Sequence, residues 1–180
     1  YRLLYDLGVM PETEEQTTNL TRGEFAAYVA RLSGVDVSAL RRQVFGDVGP
    51  DYEYFDEIAA VKSLGLAAGD ASGNFLPNDN IRYQDAVGML MKLLGYYEYA
   101  QKRGGTEAVA AKIGLTKNVP SGGGYLNVRQ YAVLVTNAVK IDVMTESTPG
   151  EYDVQKDNTL LEAYLGLSKI QGQVTACGYT

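Results

Sequence analysis

Histidine is absent from this sequence. That removes the usual general base near neutral pH and the commonest metal ligand, and it argues against an enzyme. Cysteine occurs once, as Cys177, so no internal disulfide can form and a disulfide-stapled scaffold is excluded. A single cysteine does not settle the compartment. Cations are outnumbered, 16 Lys and Arg against 22 Asp and Glu, for a net charge of −6. A broad nucleic-acid or acidic-membrane surface is therefore not expected, and any anionic partner must be met by a few local cations. No apolar run approaches the ~18 residues a membrane-spanning helix needs. The chain opens on YRLLYDLGVM, which reads as an amphipathic helix without an initiating Met or a signal peptide, so it is expected to begin inside its first structural unit.

What is present is a core and a drifting repeat. Hydrophobic residues make up 46% of 180, enough for one large domain or several small units. Three segments share one grammar, a helix ending in a Leu-Gly or Ile-Gly step, a loop, then a second helix. They read LLYDLGVMPETEEQTTNLTRGEFAAYVARLSG, IAAVKSLGLAAGDASGNFLPNDNIRYQDAVGMLMKLLG and AVAAKIGLTKNVPSGGGYLNVRQYAVLVTNAVK. The step glycines are Gly8, Gly65 and Gly114, each suited to the left-handed position that ends a helix. Apolar residues recur at helical spacing in each second helix: Phe25, Val29 and Leu32, then Val87, Leu90 and Leu94, then Val133, Leu134 and Val139. A helix pair is too small to bury such a stripe alone, so the three pairs are predicted to pack on one another. YYEYAQKRGGTEAVAAKIG adds helix broken at Gly104-Gly105. Beyond Met144, TESTPGEYDVQKDN reads as linker, TLLEAYLGL as a short helix and IQGQVTACGYT as a strand.

The loops offer several candidate sites. Asp70, Ser72, Asn74 and Asp79 supply hard oxygens, but the spacing does not fit a calcium-binding EF-hand, so no metal is expected. The glycines at 122–124 follow neither a strand nor a Walker lysine pattern, so a phosphate loop is not expected. Phe75 and Tyr125 are expected to tuck inward as plugs. Thr21-Arg22-Gly23-Glu24 forms a capping box, which accounts for Thr21 and Glu24 but leaves Arg22 opposing the helix dipole. Arg129 sits similarly in the third unit. An arginine beside exposed helix-start amides suits a small carboxylate or phosphate, and two incidental surface arginines are the plain alternative. In the second unit Tyr83 holds the position of Arg22, and Arg82 lies one residue, about 100°, out of register.

These residues carry a resemblance. The stretch from Phe45 to Tyr96 resembles a bacterial S-layer homology (SLH) motif. That pattern starts with F-x-D-V and a helix ending in a Gly-Leu or Gly-Ile step, then runs through a G-x-x-x-G-x-F-x-P loop to an I-T-R-A-E helix start. Phe45, Asp47, Val48, Gly65, Gly69, Gly73, Phe75, Pro77 and Ile81 match in order. The resemblance implies a mainly α fold of three helix–loop–helix motifs packed as a pseudo-threefold bundle, at residues 1–44 (truncated), 45–96 and 97–143 (divergent). Residues 144–180 would be a linker and the start of a following region, with a short strand.

The resemblance also implies a function: a non-catalytic module of a secreted protein at the bacterial cell wall or S-layer. Such modules bind secondary cell-wall polysaccharide attached to peptidoglycan, often with pyruvylated sugars, and a pyruvyl ketal is a small carboxylate. Arg22 matches the family's binding arginine, within TRGE, and Arg129 matches it with weaker neighbours. Arg82 and Tyr83 depart from the pattern. Tyr52 or Tyr54 lies near the usual tryptophan, and tryptophan is absent from this chain. The expected ligand-contacting set is Arg22, Arg129, Thr21, Glu24, Gly69, Asp70, Gly73, Arg82 and Tyr83. The glycines of the loop from Gly69 to Asn80 are expected to let a sugar approach the backbone. No cofactor is expected, and other surface-layer proteins are candidate partners. The competing expectation is a degenerate scaffold that keeps the fold and has lost its ligand contacts. No facing carboxylate pair suggests a glycosidase.

Overall fold

The computed structural model describes residues 2–11, 15–120 and 124–167. The architecture is mainly α. The helices are α1 (Arg2–Asp6), α2 (Arg22–Leu32), α3 (Phe55–Ser63), α4 (Tyr83–Leu93), α5 (Tyr97–Lys102), α6 (Thr106–Lys112), α7 (Val128–Ala138) and α8 (Leu160–Leu165), with a short 3-10 turn at Val37–Leu40. Between α7 and α8 lies one antiparallel hairpin, β1 (Asp142–Thr148) and β2 (Glu151–Thr159).

Each of the three helix pairs ends its first helix in the same way. Val9 N–H reaches back to Leu4 O, Leu66 N–H to Val61 O and Leu115 N–H to Ala110 O, at 3.0, 2.9 and 2.9 Å. The intervening Gly8, Gly65 and Gly114 all have positive φ. This is the Schellman closure, and the apolar residue after each glycine is buried beneath it. The Leu-Gly-Leu type of step is thus a helix stop and a core contact in one. Gly104 and Gly105, also at positive φ, separate α5 from α6 as the sequence predicts.

The second helices begin around a closed circuit of backbone hydrogen bonds. Leu20 N–H donates to Leu126 O, Leu126 N–H to Ile81 O, and Ile81 N–H to Leu20 O, each at 2.9 Å. All three side chains are buried. Single bridges pair Asn19 with Asn127, Thr21 with Asn80, and Arg82 with Tyr125 around this circuit. α2, α4 and α7 then run outward from it, burying Phe25, Val29 and Leu32, Val87, Leu90 and Leu94, and Leu134 and Val139. Val133 departs from expectation. It is only half-buried, because the buried stripe of α7 is Tyr131, Leu134, Val135 and Ala138, at i, i+3, i+4 and i+7. Tyr131 ties the third pair to the first: fully enclosed, it donates its hydroxyl to Val9 O and meets the rings of Phe25 and Tyr28 at 5.9 and 5.2 Å.

The tail corrects the linker reading. Asp142–Thr159 folds into the hairpin, turning at Pro149-Gly150 with Met144 opposite Val154 and Glu146 opposite Tyr152. Two strands alone are marginal in water, so the hairpin depends on its root. There Met144 N–H donates to Leu94 O at 2.9 Å and Tyr96 hydroxyl to Asp142 O at 3.1 Å. α8, the short helix expected at TLLEAYLGL, buries Leu160 and sends the Tyr164 hydroxyl to Leu93 O at 2.9 Å. The carbonyls of Tyr164 and Met144 occupy the space a Cβ would need at Gly34 and Gly95. The strand expected in IQGQVTACGYT lies outside the described residues.

Candidate functional site

The second loop is organised by Asp47. Its carboxylate accepts the amides of Phe75 at 2.8 Å and Leu76 at 2.7 Å, while Phe45 packs on Phe75 with ring centroids 5.1 Å apart. The F-x-D-V and G-x-F-x-P elements are therefore two halves of one clamp. Phe75 is buried, as expected, but Tyr125 is 47% exposed and plugs nothing. It stands next to buried Leu126 in an extended stretch, where successive side chains point to opposite faces, so it projects outward.

Both loop glycines have a role in the fold. A Cβ at Gly69 would meet Asn74 O at 2.8 Å and the Phe45 ring at 2.9 Å, so that space is already filled. Gly73 takes φ +81° in a turn where its N–H bonds Asp70 O at 3.0 Å. Asp70 holds the same turn, accepting Ser72 and Asn74 amides at 2.8 and 2.9 Å. Its oxygen is engaged by the backbone, and no cluster of three or more metal-ligating side chains occurs among the described residues.

At the start of α2 the capping box is complete: Thr21 N–H meets the Glu24 carboxylate at 2.7 Å, and Glu24 N–H meets Thr21 Oγ1 at 3.2 Å. The neighbouring amides are not open to an anion. Arg22 N–H donates to Asp79 O and Gly23 N–H to Pro77 O, both at 2.9 Å. The α7 start repeats this, with Val128 N–H on Thr18 O, Arg129 N–H on Gln16 O, and Asn127 capping Gln130. Sequence cannot reveal this occupancy, because the acceptors lie in distant loops.

Arg22 itself is half committed. Its Nε donates to Phe75 O at 2.9 Å and Nη2 to Ala68 O at 3.3 Å, its guanidinium lies 4.8 Å from the Phe75 ring centre, and Asp85 approaches Nη1 at 3.7 Å. A guanidinium has five N–H donors, so three remain for the groove that Arg22 borders. The hydrogen-bond circuit also fixes the register. Two residues after Leu20, Ile81 and Leu126 stand Arg22, Tyr83 and Val128, so Arg129 lies one step beyond the Arg22 position. The sequence match of Arg129 to that position is corrected accordingly: Gly23 and Gln84 are its counterparts.

One groove of about 1520 Å³ brings together Arg22, Gly69, Asp70, Arg82 and Tyr83. Thr21, Glu24, Gly73 and Arg129 do not line it. Its walls also carry Lys92, Asp79, Asp85, Glu107 and Tyr125. Four carboxylates against three cations mean that no uniform positive field draws an anion in, and individual contacts must decide. Lys92 sits over Tyr97 at 4.9 Å, and Glu107 accepts Gln84 Nε2 at 2.9 Å. The Arg82 side chain is exposed and makes no hydrogen bond or ion pair among the described residues. Tyr83 is half-buried, and burial, then the Glu107 charge, pushes its hydroxyl pKa up. Tyr52 and Tyr54 stand outside the groove. Tyr52 covers Gly23 and donates to Asn78 Oδ1 at 3.2 Å, and burial raises the pKa of both hydroxyls.

Residues 44–87, the stretch that builds the Asp47 clamp and one side of the groove, match the family described as S-layer homology domain. Over that stretch the chain is similar to an S-layer homology domain. It is 28% identical over 81 residues to a cell surface protein of Thermoanaerobacter kivui, a match covering 43% of this chain and 11% of that protein's length. S-layer homology domains are generally non-catalytic modules that bind cell-wall polysaccharide and anchor surface proteins. No helix among the described residues is long and apolar enough to cross a membrane.

Proposed function

We propose that this chain anchors a secreted protein to the bacterial wall by binding an anionic secondary cell-wall polysaccharide, pyruvylated or otherwise carboxylated. In this reading residues 1–44, 45–96 and 97–143 are three S-layer homology motifs in a pseudo-threefold bundle, and residues 144–180 lead toward a further region. The circuit through Leu20, Ile81 and Leu126 supports that arrangement, since equivalent positions of the three segments meet in equivalent bonds. The observation that carries the binding role is the groove itself. A domain match of anchoring type borders an open cleft in which arginine and tyrosine side chains converge. Arg22, Arg82 and Tyr83 are its contacting residues, with other surface-layer proteins as further partners.

The test is co-sedimentation with Gram-positive cell walls, intact and stripped of secondary polymer. Pelleting with intact walls alone is the expected outcome, and equal pelleting with both, or with neither, would refute it. The scaffold reading is favoured by one observation, the commitment of Arg22 to Phe75 O and Ala68 O. Charge reversal at Arg22 alone would not separate the two readings, because it also releases the second loop. The variant must be paired with a thermal melt.

A further inference from the structure

The two arginines of the groove differ in what they have left to offer. Arg22 has spent its Nε–Nη2 edge on the carbonyls of Phe75 and Ala68. That edge is one of the faces a guanidinium presents for two parallel bonds to a carboxylate. Arg82 has every donor free among the described residues and is exposed in the same groove. Directly across the bridge from it stands Tyr125. Residues opposed in an antiparallel bridge hold their Cβ atoms about 4.5–5.5 Å apart and project to the same side. Tyr125 is 47% exposed and lines the same groove. At the two other bridges of the circuit the opposed residues are Thr21 with Asn80 and Asn127 with Asn19, all short side chains. Only the Arg82–Tyr125 bridge joins a long cation to a large open ring.

We propose that Arg82 and Tyr125 form an acidic-sugar subsite. The Arg82 fork takes the carboxylate, and the Tyr125 ring lies against the C–H face of the same sugar. This rests on the groove being a glycan site, and within it moves the principal anion contact from Arg22 to Arg82. Tyr125, an exposed ring with no internal packing role, becomes a specificity residue: it admits a flat pyranose carrying a carboxylate and gains nothing from a compact inorganic anion. Both side chains are exposed, so truncating them leaves the core untouched.

The experiment measures affinity for isolated Gram-positive walls, native and with their carboxyls chemically reduced to alcohols. The proteins are wild type, Arg82→Ala, Arg82→Lys, Tyr125→Ala and the surface control Lys140→Ala. Arg82→Ala should weaken binding to native walls about tenfold, as for loss of a charge-assisted bidentate pair. Arg82→Lys should recover only part of it, Tyr125→Ala should weaken binding by several-fold, and Lys140→Ala should match wild type. Melting temperatures should stay unchanged throughout. Wild-type binding that survives Arg82→Ala, or that is equal on reduced walls, would overturn the subsite while leaving wall anchoring in place. Failure of wild type to bind native walls would overturn both.

Discussion

At the scale of single residues, the positions that match the motif divide into those that build the loop and those that face the groove. Asp47 belongs to the first kind, because its two oxygens are held by the Phe75 and Leu76 amides. Replacing Asp47 with Ala should lower stability by about 1–3 kcal/mol, the range for hydrogen bonds to a charged acceptor. Urea denaturation would register it as a lower midpoint with an unchanged slope. Tyr131 offers a second residue-level test. Burial, ahead of the nearby Tyr28, drives its hydroxyl pKa well above the ordinary value of 10, and Arg31 pulls weakly the other way. A raised native pKa means the folded state keeps the proton after the unfolded chain has lost it. Stability is therefore intact below pH 10 and falls as pH climbs above it. An absorbance titration of tyrosinate should show a late cooperative component coincident with unfolding, and that component should be smaller in Tyr131→Phe. The phenylalanine variant should also lose about 1 kcal/mol at neutral pH, since Val9 O loses its donor. None of these partnerships is local, which is why Asp47 could be matched from sequence while its work could not be read there.

At the scale of elements, helix starts and stops were legible because their chemistry lies within a few residues. The Thr21–Glu24 box, the breaks at Gly104-Gly105 and the three step glycines needed only local rules. The hairpin was not legible, because TESTPGEYDVQKDN is polar and its order depends on Met144 meeting Leu94. The groove was half legible. Sequence spacing placed Arg22 and Tyr83 in register, but Arg129 lacks a closing glycine to count from, and its displacement emerges only from the Leu20–Ile81–Leu126 circuit. Two glycines separate strain from crowding. Gly73 has φ +81° and open space where a Cβ would go, whereas Gly34 has φ +65° with the Tyr164 carbonyl there. Gly73→Ala should lose about 1–2 kcal/mol from the left-handed backbone alone. Gly34→Ala should lose more and should loosen α8, seen as faster hydrogen exchange across Leu160–Leu165.

At the scale of the whole molecule, the mainly α class followed from the period of the apolar residues, and the packing of three pairs on one another followed from their size. The tail is where sequence misleads, because its polar stretch reads as linker and folds as a hairpin. Ending the chain at Ile141 tests what the tail contributes. It would uncover Leu94 and Leu93 carbonyls and remove buried Leu160, Val143 and Met144, so the melting temperature should fall by several degrees, on the order of a few kcal/mol. The groove residues lie outside the deleted segment, so wall pelleting measured in the cold should persist. Loss of pelleting without loss of fold would assign the tail a direct part in binding.

The backbone circuit has a consequence in time. Its members are residues 20, 81 and 126, so none of its bonds can be made by neighbours in the chain. A chain emerging from the ribosome at roughly 5–20 residues per second completes its second helix pair several seconds before Leu126 arrives. Through that interval Ile81 O has no donor and Leu20 N–H no acceptor. On that order of synthesis the circuit closes only when the last of the three is delivered.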